Sequence, residues 1–212
     1  MLDFSILTNY TDLFLEGLKI TIIASLIALI CSFILGTLIA VMRIAPFKLL
    51  NWVGTAYVEF IRNIPVLVIV FFTFLVGDFG GMMAGTIGLT IYTAAFIAEA
   101  IRAGILSVPK GQMEAARSTG LTYGQAMRMV ILPQAIKIVI PPLGNQFINL
   151  VKNSSLLAVV AGGDLMYQGD LISAMTYATF DTYIFVGLFY LMITIPLSLG
   201  VNFLEKRMAR SN

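Results

Sequence analysis

The strongest constraint in this sequence is the length of its apolar runs. They extend from about Leu18 to Met42, Val53 to Val76, Thr86 to Ile105, Tyr123 to Leu150 and Tyr183 to Leu204. A helix needs about 20 mostly apolar residues to cross a bilayer core. Inside that core every backbone N–H and C=O must be paired within the chain, which helices achieve segment by segment. The sequence therefore predicts an all-α membrane protein, one domain over residues 1–212, with five transmembrane helices.

Composition agrees with that reading. Of the 212 residues, 59% are hydrophobic and 11% charged, with a mean hydropathy of +0.95. A soluble domain of this balance would present an apolar surface. The net charge of +2 gives no reason to expect a nucleic-acid partner. Cys31 is the single cysteine and lies in an apolar run, so no intrachain disulfide is expected. The chain has no histidine, which excludes a His-based metal site or proton relay. Asp3, Asp12 and Glu16 mark a beginning without the basic region of a cleavable signal, so none is expected.

Basic residues set the expected orientation. With five spans, Arg43 and Lys48, then Lys110, Arg117 and Arg128, then Lys206, Arg207 and Arg210 all fall on one side. Asp3, Asp12, Asp78, Asp164, Asp170 and Asp181 fall on the other. The N-terminus is therefore expected outside and the C-terminus in the cytoplasm.

Charges within spans are expensive and mark function or a buried pair. Glu59 and Arg62 are three apart on the second span, as are Glu99 and Arg102 on the third, so each pair shares a helix face. Counting ~1.5 Å per residue from the cytoplasmic ends places both Glu59 and Glu99 about 9 Å deep. Antiparallel neighbours would then cross-pair, Glu59 with Arg102 and Arg62 with Glu99. Such a cluster is either a static scaffold or an inner gate that opens during a cycle.

The fourth span carries Asn145, Asn149, Lys152 and Asn153 at helical spacing. This stripe should face protein or water, either as interhelical hydrogen bonds or as a pore lining. Pro141 and Pro142 suggest a broken helix, which is tolerated where it lines a cavity. Residues 151–182 form a mixed extracytoplasmic or re-entrant segment. Its piece from Ser155 to Ala161 is too short to span. Helix-start N–H groups near Asn153, Ser154 and Ser155 would favour a carboxylate. Asp164 would either accept a ligand's ammonium or sit in a solvated external loop.

The longest stretch that is not mostly apolar runs from Ser107 to Pro133. Pro109 suits a first helical turn and Gly120 a left-handed helix end. Thr122 and Gln125 have capping-box spacing. A short surface helix over about Pro109 to Thr119, a tight turn and a second helix are predicted. The residues Glu114-Ala115-Ala116, Gly120 and Val130-Ile131-Leu132-Pro133 resemble the EAA loop of ABC importer permeases. Val130 stands where that family commonly has Ile.

The resemblance extends to Tyr57–Pro65, to Thr93–Ile105, to Pro141–Asn145 and to Lys152–Leu156, and is densest from Tyr57 to Leu157. It is nearest to permeases of the histidine, glutamate, glutamine, arginine and opine group. Those commonly have Arg-Gly-Thr-Pro where this chain has Arg62-Asn63-Ile64-Pro65, and often Lys-Asp at Lys152-Asn153. The resemblance implies a type I importer permease that works by alternating access, with residues 107–122 as its cytoplasmic coupling loop. Glu114, Ala115, Ala116, Gly120 and Pro133 would couple it to an ATPase dimer. It further implies a second permease chain, as a homodimer, and an extracytoplasmic amino-acid-binding protein, in a prokaryotic plasma membrane. Asp78, Asn145, Asn149, Lys152, Asn153, Ser154, Ser155 and Asp164 would line the substrate path.

No phosphate loop of the G-x-x-x-x-G-K-[ST] type occurs. ATP and Mg would therefore be bound by the partner ATPase, with no cofactor, metal or covalent catalysis on this chain. The outer Asp residues lean toward a basic amino acid as substrate. Two other readings are a stand-alone secondary transporter or channel, and a membrane anchor. The first is disfavoured by the lack of an evident repeat. The second leaves the polar stripe and the prolines unexplained.

Overall fold

A computed structural model describes residues 2–209, and Arg210 lies outside them. Among the described residues every regular element is helical. A short α1 (Ser5–Asn9) leads into α2 (Thr11–Ile44). Next come α3 (Lys48–Arg62), α4 (Val66–Val76) and α5 (Gly81–Ser107). Then follow α6 (Lys110–Ser118), α7 (Tyr123–Ala126) and α8 (Leu132–Asn153). The chain ends with α9 (Leu165–Thr176) and α10 (Thr179–Ala209). Among the described residues four helices are long and apolar enough to span a membrane. A fifth span results if α3 and α4 count as one, although they meet at 106°. Asn63, Ile64 and Pro65 form that corner, where the proline removes a helical donor.

The centre of the bundle is the α2–α5 pair. The buried face of α2 repeats small residues every third or fourth position: Gly17, Thr21, Ala24, Ala28, Ser32, Gly36 and Ala40. Small residues let membrane helices approach closely, and packing and hydrogen bonds then replace the hydrophobic drive that lipid cannot supply. A Cβ added at Gly36 would lie 2.7 Å from Ile97 Cγ2 and 2.8 Å from the Ala94 carbonyl oxygen. The outward face of α2, with Ile23, Ile27, Ile30 and Ile34, is exposed as a lipid-facing surface requires.

One expectation about the fourth span is corrected. Pro141 and Pro142 do not break it, because α8 runs through both. The irregularity comes earlier, as a π-helical turn over Met127–Ile131. Such a turn widens the helix just before Pro133, whose ring would otherwise crowd the carbonyl four residues back. After α8 the chain tightens into a 3₁₀ turn, Ser154–Val160. This turn is packed within the bundle, where Leu157 is fully buried against Ala24, Ala28 and Leu89.

Candidate functional site

Three groups of residues carry the functional expectations. The first is the loop between α5 and α8. Pro109 caps α6 with an extended backbone, and Gly120 takes φ +90° after its end. Thr122 and Gln125 form the capping box: the Thr122 N–H donates to Gln125 Oε1 (2.8 Å), and the Gln125 N–H donates to Thr122 Oγ1 (3.3 Å). Arg117 Nη1 ties the turn to the Leu121 carbonyl at 3.0 Å. On α6, Glu114 and Ala115 are exposed, whereas Ala116 is buried. Beneath them Val108, Ile131 and Ala135 form a small core with Met113 and Met127 packed on it. The loop is thus a braced helix with Glu114 exposed, seated on the π-helical turn and the first turn of α8.

The second group is the charge cluster, and its centre was not anticipated. Arg43, expected as a topology marker in the first loop, is 6% exposed at the end of α2. Its Nη1 donates to Glu99, and its Nη2 lies 4.0 Å from Glu59. Glu99 also accepts from Arg102 at 2.9 Å and sits 3.9 Å from Arg62. The expected Arg62–Glu99 pair is therefore present. Among the described residues no ion pair joins Glu59 to Arg102; Arg43 lies between α3 and α5 and takes up that role. Arg62 also stacks over Phe96, 5.4 Å from the ring centroid. Residues at the end of a span can turn back into the bundle, and only the small-residue stripe of α2, continuing through Gly36 and Ala40, indicated this for Arg43.

The third group lies at the opposite end of α8. Asn145, Asn149 and Lys152 are exposed along one stripe, with Asn153 half-buried. Lys152 and Ser155 line a pocket of about 330 Å³ with Tyr183, Tyr190 and Met166. Ser154 is buried and its hydroxyl donates to the Val151 carbonyl at 2.7 Å. Asp78 is exposed in the α4–α5 connection and is not part of that pocket.

Asp164 does not lie in a solvated loop. It is fully buried and caps α9, its Oδ2 accepting from the Met166 N–H at 3.0 Å. The Tyr190 hydroxyl approaches the same oxygen at 3.5 Å, and Oδ1 has no hydrogen-bond partner. Burial pushes the carboxyl up to about 7, with the Met166 and Tyr167 N–H groups pulling the other way. No cluster of His, Cys, Asp or Glu suited to a metal occurs among the described residues.

Residues 32–210 match the binding-protein-dependent transport system inner membrane component family. The chain belongs to that family. A probable glutamine ABC transporter permease protein of Bacillus subtilis is 65% identical, covering 99% of this chain and 100% of that one. An arginine transport system permease protein of the same organism is 33% identical, with 98% and 97% covered. Among solved structures, an amino acid ABC transporter with histidines matches at 37% identity. Its TM-score is 0.91, covering 98% of this permease and 99% of that chain. The fold of the permease is that of a type I ABC importer.

Proposed function

We propose that this permease forms the translocation path of an ATP-driven importer of polar amino acids. It would sit in a prokaryotic plasma membrane with the N-terminus outside and the C-terminus in the cytoplasm. The observation that carries the reading is the exposed Glu114–Ala115 face, borne on the buried Ala116 above the core of Val108, Ile131 and Ala135. Lys152 stands at the far end of α8, about 28 Å from Pro133 at 1.5 Å per residue, with Ser155 in the turn that follows. That is roughly the thickness of the bilayer core. α8 would thus run from the core beneath the ATPase-facing α6 to the polar outer pocket.

Two ATPase subunits carrying ATP and Mg would grip α6. An extracytoplasmic binding protein would deliver substrate. A second copy of the chain would cover the Asn145–Asn149–Lys152 stripe, since amides facing lipid lack partners. Asp78, Asn153 and Ser154 would border the path. For the substrate, an uncharged polar amino acid such as glutamine fits best. The relative at 65% identity is named for glutamine, and the buried Asp164 is spent on capping α9. Lys152 would meet the substrate carboxylate. Family membership disfavours a stand-alone carrier or a simple anchor.

The test is a gentle purification through a C-terminal tag, with mass spectrometry of the co-purifying chains. The expected result is a stoichiometric ATPase that Glu114→Arg removes, together with glutamine-stimulated ATP hydrolysis in the intact assembly. A chain that purifies without an ATPase under several mild detergents would overturn the reading.

A further inference from the structure

The geometry points to a binding site for one anionic phospholipid against the base of α6. A crevice of about 500 Å³ has α8 as its floor, from Leu132 to Phe147. Its walls are Phe33 of α2, Ile105 of α5, and Val201 and Leu204 of α10. Thr37 is the only lining side chain with a polar group. A second cavity, of about 410 Å³, shares Ile105 with it, and Ile131 of the second precedes Leu132 of the first. This second cavity holds Lys110, Tyr123 and Arg43. The guanidinium of Arg43 is already engaged by Glu99 and Glu59. Lys110 and Tyr123 are exposed and free to meet a ligand. Glu114 is not among the lining residues.

Taken together, the two cavities are charged and polar where the polar α6 begins and apolar along a membrane span. The apolar part follows α8 for about 22 Å, longer than the ~15 Å of one leaflet. Its matching ligand is an anion carried on a long hydrocarbon chain. A second protein copy suits another face: Asn145 and Asn149 each follow a crevice residue, Leu143 and Phe147, by two positions. At 3.6 residues per turn that sets them about 200° around the helix. The face that needs covering by protein or water is thus turned away from the crevice. Inner-leaflet lipid carries the anionic charge that juxtamembrane lysines attract.

The test uses the full chain purified in mild detergent. It is offered equal amounts of phosphatidylglycerol and phosphatidylcholine with the same acyl chains, and retained lipid is read by native mass spectrometry. The wild-type chain is expected to retain one phosphatidylglycerol, preferred by about fivefold, the equivalent of one lysine contact. Lys110→Glu is expected to abolish the preference, and Ile140→Trp, which fills the crevice, to abolish retention of both. Equal or no retention by the wild type would overturn the site, as would a preference that survives Lys110→Glu. Efficient cross-linking of Ile140→Cys to a second copy would also overturn it, because the crevice would then hold protein. None of these readouts depends on the transported substrate.

Discussion

Arg43, at the end of α2, donates its guanidinium to Glu99 of α5 while its side chain is only 4% exposed. Glu99 is thereby shared among Arg43, Arg62 and Arg102, whereas Glu59 reaches Arg43 only at 4.0 Å and is 59% exposed. The two carboxylates are therefore not equivalent. Removing Glu99 leaves a buried guanidinium without its close partner, and breaking a buried pair costs about 3–5 kcal/mol. Removing Glu59 breaks an exposed contact worth about 0–1 kcal/mol. Thermal unfolding of the purified chain should show Glu99→Gln strongly destabilised and Glu59→Gln close to wild type. If Glu59→Gln then uncouples ATP hydrolysis from uptake, the cluster works as a gate; an equal loss of stability in both variants would contradict the ranking.

Gly36 gives a second stability contrast. Its missing Cβ admits both Ile97 and the Ala94 carbonyl of α5. A backbone oxygen at 2.8 Å cannot rotate aside, so Gly36→Ala should cost about 1–3 kcal/mol through overpacking. A Cβ at Gly200 meets nothing within 4 Å. Gly200→Ala should there gain up to about 1 kcal/mol of helix propensity. Melting temperatures moving in the same direction for both variants would refute this account of the α2–α5 seam.

Four of the five spans, the loop and its capping box were legible in the sequence because each rests on local rules, whereas the second span is bent by 106° between α3 and α4. Run length fixes a span, Thr122 and Gln125 need only each other, and Gly120 needs only its own backbone. What was not legible depended on packing at a distance. Arg43 looked like a loop charge because nothing local shows that α2 continues to Ile44 and meets Glu99. Asp164 looked solvated because its burial depends on α2 and α10, through Thr21 beside Leu165 and through Tyr190. Pro141 and Pro142 suggested a break because each removes a helical donor, yet α8 runs on through both, as packing against neighbouring membrane helices permits. The four-residue repeat of small residues on α2 was readable and would have named its partner face.

Asp164 predicts an unusual pH dependence. An unfolded aspartate titrates near 3.9, while burial raises this one to about 7. Between those values the folded chain holds a proton that the unfolded chain has lost, so stability falls as pH rises. The contribution is fully present below about pH 4 and is lost as pH passes through about 7. Melting temperature should therefore drop from about pH 5 to about pH 8 in the wild type, and the drop should flatten in Asp164→Asn. A profile unchanged by Asp164→Asn would show that other groups set it.

The exposed stripe on α8 provides the sharpest separation of path from scaffold. Asn149 lies one helical turn from Asn145 and nearly one from Lys152, all on the same exposed face. If the stripe borders the substrate path, Asn149→Leu removes a hydrogen-bonding group from a moving substrate but nothing from the folded chain. Glutamine-stimulated ATP hydrolysis should then fall by about fivefold, equivalent to ~1 kcal/mol for one hydrogen bond, while the ATPase still co-purifies in full. If the stripe instead bonds one permease copy to the other, the same substitution weakens the dimer before it affects transport. Cross-linking yield between copies should then fall together with hydrolysis. The two measurements on one variant decide between these roles, because a path residue leaves the cross-linking yield unchanged and a scaffold residue does not.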